Sequence, residues 1–97
     1  MSAYVIFTLE HTTDAEELRL YAQKAPASRG DHEITPLVFR GEFEVLEGDP
    51  FEAAIVLRFP NRADARNWYT SPAYQEALQH RLKGAACRVF IVDGVDA

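Results

Sequence analysis

Residues Asn67–Leu78 read NWYTSPAYQEAL: a Trp-Tyr pair, a Ser-Pro break and a further Tyr inside a stretch otherwise helical in pattern. The fold turns on whether this run is a binding site or the way two short helices are joined and pinned to a sheet. Asn61 is a suitable cap for a first helix running through Trp68 and Tyr69. Ser71 followed by Pro72 is the cap and first-turn pair of a second helix running to about Lys83. Proline biases the residue before it away from helical angles, so the axis is expected to bend at Ser71. Beyond the bend, Tyr74, Ala77, Leu78, Leu82 and Ala85 follow the i, i+3, i+4 spacing of a buried stripe, which Gly84 ends. The run reads first as a joint.

Outward from that joint the chain alternates strands and helices. Ala3–Glu10, AYVIFTLE, is β-branched and aromatic over strand length. Thr13 stands three residues before Glu16, the spacing of a capping box, and Ala15, Leu18, Ala22 and Ala25 mark one face of a helix that stops before Pro26. Ala27–Glu33 is polar and reads as loop. Thr35–Glu47, TPLVFRGEFEVLE, alternates Leu37, Phe39, Phe43 and Val45 against Val38, Arg40, Glu42, Glu44 and Leu46. That pattern predicts one long strand with a bulge or close approach at Gly41. Gly48–Pro50 is turn chemistry, Ala53–Phe59 is a third strand, and Ala86–Gly94 a fourth.

The resulting order is βαββαβ. Right-handed crossovers then give an α+β, ferredoxin-like domain over residues 1–97: a four-stranded antiparallel sheet with the helices on one face. Strands with a wet face should alternate apolar with polar, yet the first, third and fourth are apolar on both sides. The expectation is a homodimer through the open sheet face, burying on the order of 800 Å² per partner.

Bulk properties narrow the function classes. A chain of 97 residues is one domain near the lower end of self-sufficient size, so a partner subunit would help it. A net charge of −5 with ten scattered Lys and Arg disfavours nucleic acid, and Ala53–Phe59 lacks the exposed aromatics of RNA-binding sheets. No apolar run approaches the roughly 20 residues of a membrane span, and the start lacks the order of a signal peptide. With a single cysteine, Cys87, no internal disulfide forms, and a cytoplasmic location is expected.

A broader resemblance rests on YVIF at Tyr4–Phe7, VLEG at Val45–Gly48, LRFP at Leu57–Pro60, WYTSPAYQ at Trp68–Gln75, Arg81, Arg88 and VDG at Val92–Gly94. Together these resemble an uncharacterised family described as a domain of unknown function, within the dimeric α/β barrel superfamily. The resemblance implies that fold and dimerisation. It also implies a superfamily precedent for a pocket between sheet and helices, used elsewhere by cofactor-free oxygenases, haem-degrading enzymes and small-acid isomerases. It carries over no catalytic residues.

Candidate chemistry is sparse. His11, His32 and His80 fall in different elements without ligand spacing, so no metal is expected. Cys87 reads as a small core residue. Trp68, Tyr69 and Tyr74 are candidate ring surfaces for a planar ligand, with N–H groups at the second helix's start receiving an anion; the packing account of the same residues is favoured. Arg58, Arg81 and Arg88 stand beside apolar positions and need a carboxylate or a ligand, with Glu42 and Glu44 as partners across a dimer. His11, just past the first strand, is the candidate proton carrier. Two classes follow: a homodimeric domain binding a small apolar or aromatic acid or another partner, and an enzyme without metal or organic cofactor in which His11 moves protons and Arg81 holds the acid. An enclosed pocket walled by His11 or Arg81 separates the second from a filled core.

Overall fold

The computed structural model describes residues 1–95. Strand β1, Ala3–Thr12, is the centre of the sheet. It pairs antiparallel with β3, Ala53–Phe59, on one side and β4, Ala85–Asp93, on the other; β2, Thr35–Phe39, adds to β3 at the edge. Helices α1, Ala15–Lys24, α2, Arg62–Tyr69, and α3, Pro72–Gly84, complete the ferredoxin-like βαββαβ order, with a 3-10 turn at Ala25–Arg29 after α1.

The joint that opens the sequence forms as read. Asn61 accepts the Asp64 N–H at 2.8 Å, Ser71 accepts the Tyr74 N–H at 3.3 Å, and Pro72 opens α3. Its aromatic residues enter the core. Trp68 meets Tyr74 at 4.1 Å, Phe59 at 5.5 Å and Phe7 at 6.5 Å between ring centroids, inside a cluster that also holds Val5, Ile34 and Leu78.

Five local readings need correction. Asp14, rather than Thr13, caps α1, accepting from Glu16 and Glu17, while the Thr13 hydroxyl donates to the Lys83 carbonyl. The predicted strand Thr35–Glu47 stops at Phe39, because β3 begins at Ala53 and offers no ladder to residues beyond Arg40. The irregularity lies between Pro36 and Val38 rather than at Gly41, and Arg40, not the adjacent glycine, takes the left-handed backbone at φ 57°. Along α3, Leu82 is 66% exposed and Arg81 occupies the stripe instead. At 3.6 residues per turn, position 81 falls about 20° from Tyr74 around the helix and position 82 about 80°. Finally, α1 has no buried residue, and Ala15 and Ala22 of its predicted inner face are exposed.

The far side of the sheet carries no helix. Phe90 and Val92 there are each 43% exposed, alongside Val38, Tyr4, Ile6 and Val56. An extent of 17 Å along the shortest axis fits one helical layer on one sheet layer.

Gly84 ties the start of α1 to the end of α3. Its carbonyl accepts the Thr13 and Asp14 N–H groups at 2.8 and 3.0 Å, and a Cβ at this position would stand 2.9 Å from the Asp14 carbonyl oxygen. Backbone cannot yield there as a flexible side chain would. Gly84→Ala should therefore cost about 1–3 kcal/mol, read as a lowered urea midpoint at unchanged m-value.

Candidate functional site

Small side chains over a sheet leave space. The face that α1 turns to β1 and β3 is built from Leu18, Tyr21, Ala22 and Ala25, and beneath it lies a cavity of about 310 Å³. That volume is near the lower end for small-molecule sites, at about 300 Å³. Phe7, Leu9, Ile55 and Leu57 form the floor, Trp68 one wall, and Cys87 and Arg81 stand at the β4 and α3 side.

Arg81 is the polar feature of this wall. It is 6% exposed, and its guanidinium lies 5.7 Å from the Phe7 ring centroid and 5.8 Å from that of Tyr21, close enough for cation–π attraction. Among the described residues its Nε finds no hydrogen-bond partner, and no carboxylate pairs with it. Burial works against the charge, but the neighbouring Tyr74, Cys87 and Tyr21 outweigh it and hold the pKa above the ordinary guanidinium value. The cation persists at any working pH. A buried guanidinium with an unused donor in an apolar chamber is set to receive an anion.

Beside it, the Tyr21 and Tyr74 hydroxyls share a hydrogen bond of 2.8 Å. Burial raises the pKa of both, so both stay neutral phenols. Two hydroxyl protons serve one bond between them, and the pair therefore retains a second donor.

Of the residues singled out from sequence, Trp68 and Arg81 reach the cavity wall. Trp68 also donates its indole N–H to the Ser28 hydroxyl at 3.1 Å. Tyr74 is fully buried behind Tyr21, and Tyr69 is half-buried at 5.4 Å from the Tyr74 ring, off the cavity. His11 lies within β1 rather than past it, exposed and opposite Ala86 where the register shifts, and takes no part in the wall. The start of α3 is occupied by its own cap: Ser71 engages the Tyr74 N–H, and the Gln75 N–H goes to the Ser71 carbonyl. Arg58 and Arg88 are exposed and unpaired among the described residues. Tyr21 was missed, although it stands three residues after Leu18 on the same helical face. Arg29 and Arg40 are also on the wall; Arg29 comes from a segment with no periodic signal, and Arg40 was one position of the alternating run read as a long strand.

Relatives of the chain agree with this architecture. A family profile described as Domain of unknown function (DUF1330) matches residues 2–95. The chain belongs to the DUF1330 family. No curated protein sequence matches this DUF1330 chain. Among solved structures, it is similar to the RPA0582 protein of unknown function from Rhodopseudomonas palustris, with 18% identity and a TM-score of 0.77 over 99% of this chain and 84% of that one. It is also similar to a dimeric ferredoxin-like protein of unknown function from Jannaschia sp. CCS1, with 13% identity and a TM-score of 0.65 over 97% and 100% of the two chains. SnoaB, a cofactor-independent oxygenase from Streptomyces nogalater, aligns at 11% identity and a TM-score of 0.61 over 99% and 94%. At these identities the likeness is one of fold. Among the described residues, no helix of the DUF1330 chain is long and apolar enough to cross a membrane.

Trp68 and Arg81 should respond oppositely to substitution. Trp68→Ala removes the centre of the aromatic cluster and should cost about 3–5 kcal/mol. Arg81→Met replaces an unpaired buried charge by an apolar chain and should leave stability unchanged or raise it by about 1 kcal/mol. Urea unfolding of the two variants beside the parent checks both.

Proposed function

We propose that the protein is a homodimeric small-molecule-binding domain whose cavity holds an apolar or aromatic carboxylic acid. The observation that carries this reading is Arg81: buried, charged, without a carboxylate partner among the described residues, and on the wall of a largely apolar chamber. The Arg81 Nε–H and the spare proton of the Tyr21–Tyr74 pair supply donors to the carboxylate, and Trp68, Phe7 and Leu57 receive the apolar body. Arg81 on the cavity wall meets one part of what the catalytic alternative asks, but that alternative also needs a proton carrier at the ligand, and His11 stands away from the wall. Binding is thus the reading better supported.

The dimer half of the proposal rests on the uncovered sheet face and on the description of the Jannaschia protein as dimeric. Phe90, Val92, Val38 and Ile6 form an apolar surface larger than scattered exposure accounts for. The alternating run Glu42–Glu47 has no strand partner among the described residues, and its Phe43, Val45 and Leu46 are exposed. Its glutamates suit the unpaired Arg58 and Arg88 of a second copy. Sedimentation equilibrium should give twice the chain mass, and Ile6→Glu should halve it; a monomeric parent contradicts this half of the reading alone.

Calorimetric titration with octanoate and 3-phenylpropanoate tests the cavity. At about 0.5 kcal/mol per heavy atom, an acid of about ten heavy atoms should bind with a sub-millimolar Kd. Arg81→Met should weaken it by at least about tenfold, the worth of a hydrogen bond to a charged group. Because Arg81 stays charged, the pH dependence follows the ligand: affinity is level above the carboxyl pKa of about 4–5 and falls below it as the acid is protonated. Equal binding by the corresponding amides would contradict the role of Arg81.

A further inference from the structure

The charge on the cavity wall is one-signed. The chain has fifteen Asp and Glu against ten Lys and Arg, yet the charged residues lining the cavity are Arg29, Arg40 and Arg81, with no carboxylate among them. Arg81 is buried, whereas Arg29 and Arg40 are exposed and so stand at the rim.

Each rim arginine is held without being neutralised. Arg29 donates from Nη2 to the Ile34 carbonyl at 2.6 Å, which orients the guanidinium, and it has no ion pair among the described residues. Arg40 is placed by its backbone, whose N–H donates to the Ala54 carbonyl at 2.9 Å and whose φ of 57° is unusual for a side-chain-bearing residue with a glycine next to it. The neighbouring acid, Glu52, is engaged by the Thr12 N–H and hydroxyl; Arg40 acts on its carboxylate only through space, with no ion pair between them among the described residues.

We infer that the cavity is built for a dianion: a dicarboxylic acid with an apolar linker, one carboxylate on Arg81 and the other at the Arg29–Arg40 rim. This rests on the acid-binding reading above and specifies its substrate class. A monocarboxylate satisfies Arg81 and leaves two cations facing an apolar tail; a second carboxylate at the far end meets them where water still reaches.

Matched pairs of equal carbon count isolate the second charge: hexanoate against hexanedioate, octanoate against octanedioate, decanoate against decanedioate, each titrated into the intact protein at low ionic strength. For the pair whose length suits the cavity, the diacid should bind about fivefold tighter, as two exposed ion pairs allow. In Arg40→Gln, and separately in Arg29→Gln, the diacid-to-monoacid ratio should fall towards one. Using the ratio cancels any general loss of folded protein. Raising the salt to 0.15 M, where the screening length is about 8 Å, should also shrink it. If monoacids bind through Arg81 while no diacid is preferred, or if the preference survives both arginine variants, the rim site is overturned and the acid cavity stands. If neither class binds, both readings fall.

Discussion

The packing of one indole governs the layout of the helical layer. Trp68 touches rings from β1, β3 and α3, and its N–H reaches Ser28 in the turn that follows α1. Such an aromatic group fills one half of the sheet's inner face and holds α2 and α3 against it. The other half lies under α1, whose inward residues include Ala22 and Ala25, and these do not reach the floor. The cavity is the complement of the tryptophan: the same sheet is overfilled on one side and underfilled on the other.

Much of this was readable from local chemistry. The third strand, the two caps at Asn61 and Ser71, and the bend between α2 and α3 depend on residues within a few positions of one another, and those appear as expected. Where pairing partners decide, pattern alone misled. Thr35–Glu47 alternates as a strand should, but alternation does not supply a neighbour, and β3 is too short to give one past Arg40. Arg81 was set one place off its stripe because leucine is the expected core residue, although helical geometry favours position 81. Tyr21 and the rim arginines were not legible because a cavity is a property of what several elements fail to fill, and no single element encodes it. The exposed position of His11 follows from β1 running on to Thr12, a length set by its pairing with β4.

Charge placement runs against the composition. In a chain with net charge −5, the described carboxylates that pair with Lys or Arg do so on the outside: Glu16 with Arg19, Glu76 with Lys24 and Asp93 with Arg62. Those exposed pairs are screened by water and contribute little to stability. Arg81 stands apart from them, shielded from solvent and from every described acid, with two aromatic rings and two phenols as company. A folded state that keeps such a group accepts a stability cost, as is characteristic of sites rather than of cores.

The support of α1 bears on how the cavity is framed. The helix is held at its first residues by the Gly84 carbonyl and at its far end by the Lys24–Glu76 contact and the Ser28–Trp68 bond, while its middle is tied to α3 by the Tyr21–Tyr74 and Glu17–His80 hydrogen bonds, although none of its own residues is buried. α1 is therefore fastened chiefly to its neighbouring helix α3. The cavity is thus roofed by a helix whose fastenings lie on α3 and the following turn, away from the strand residues that form its floor.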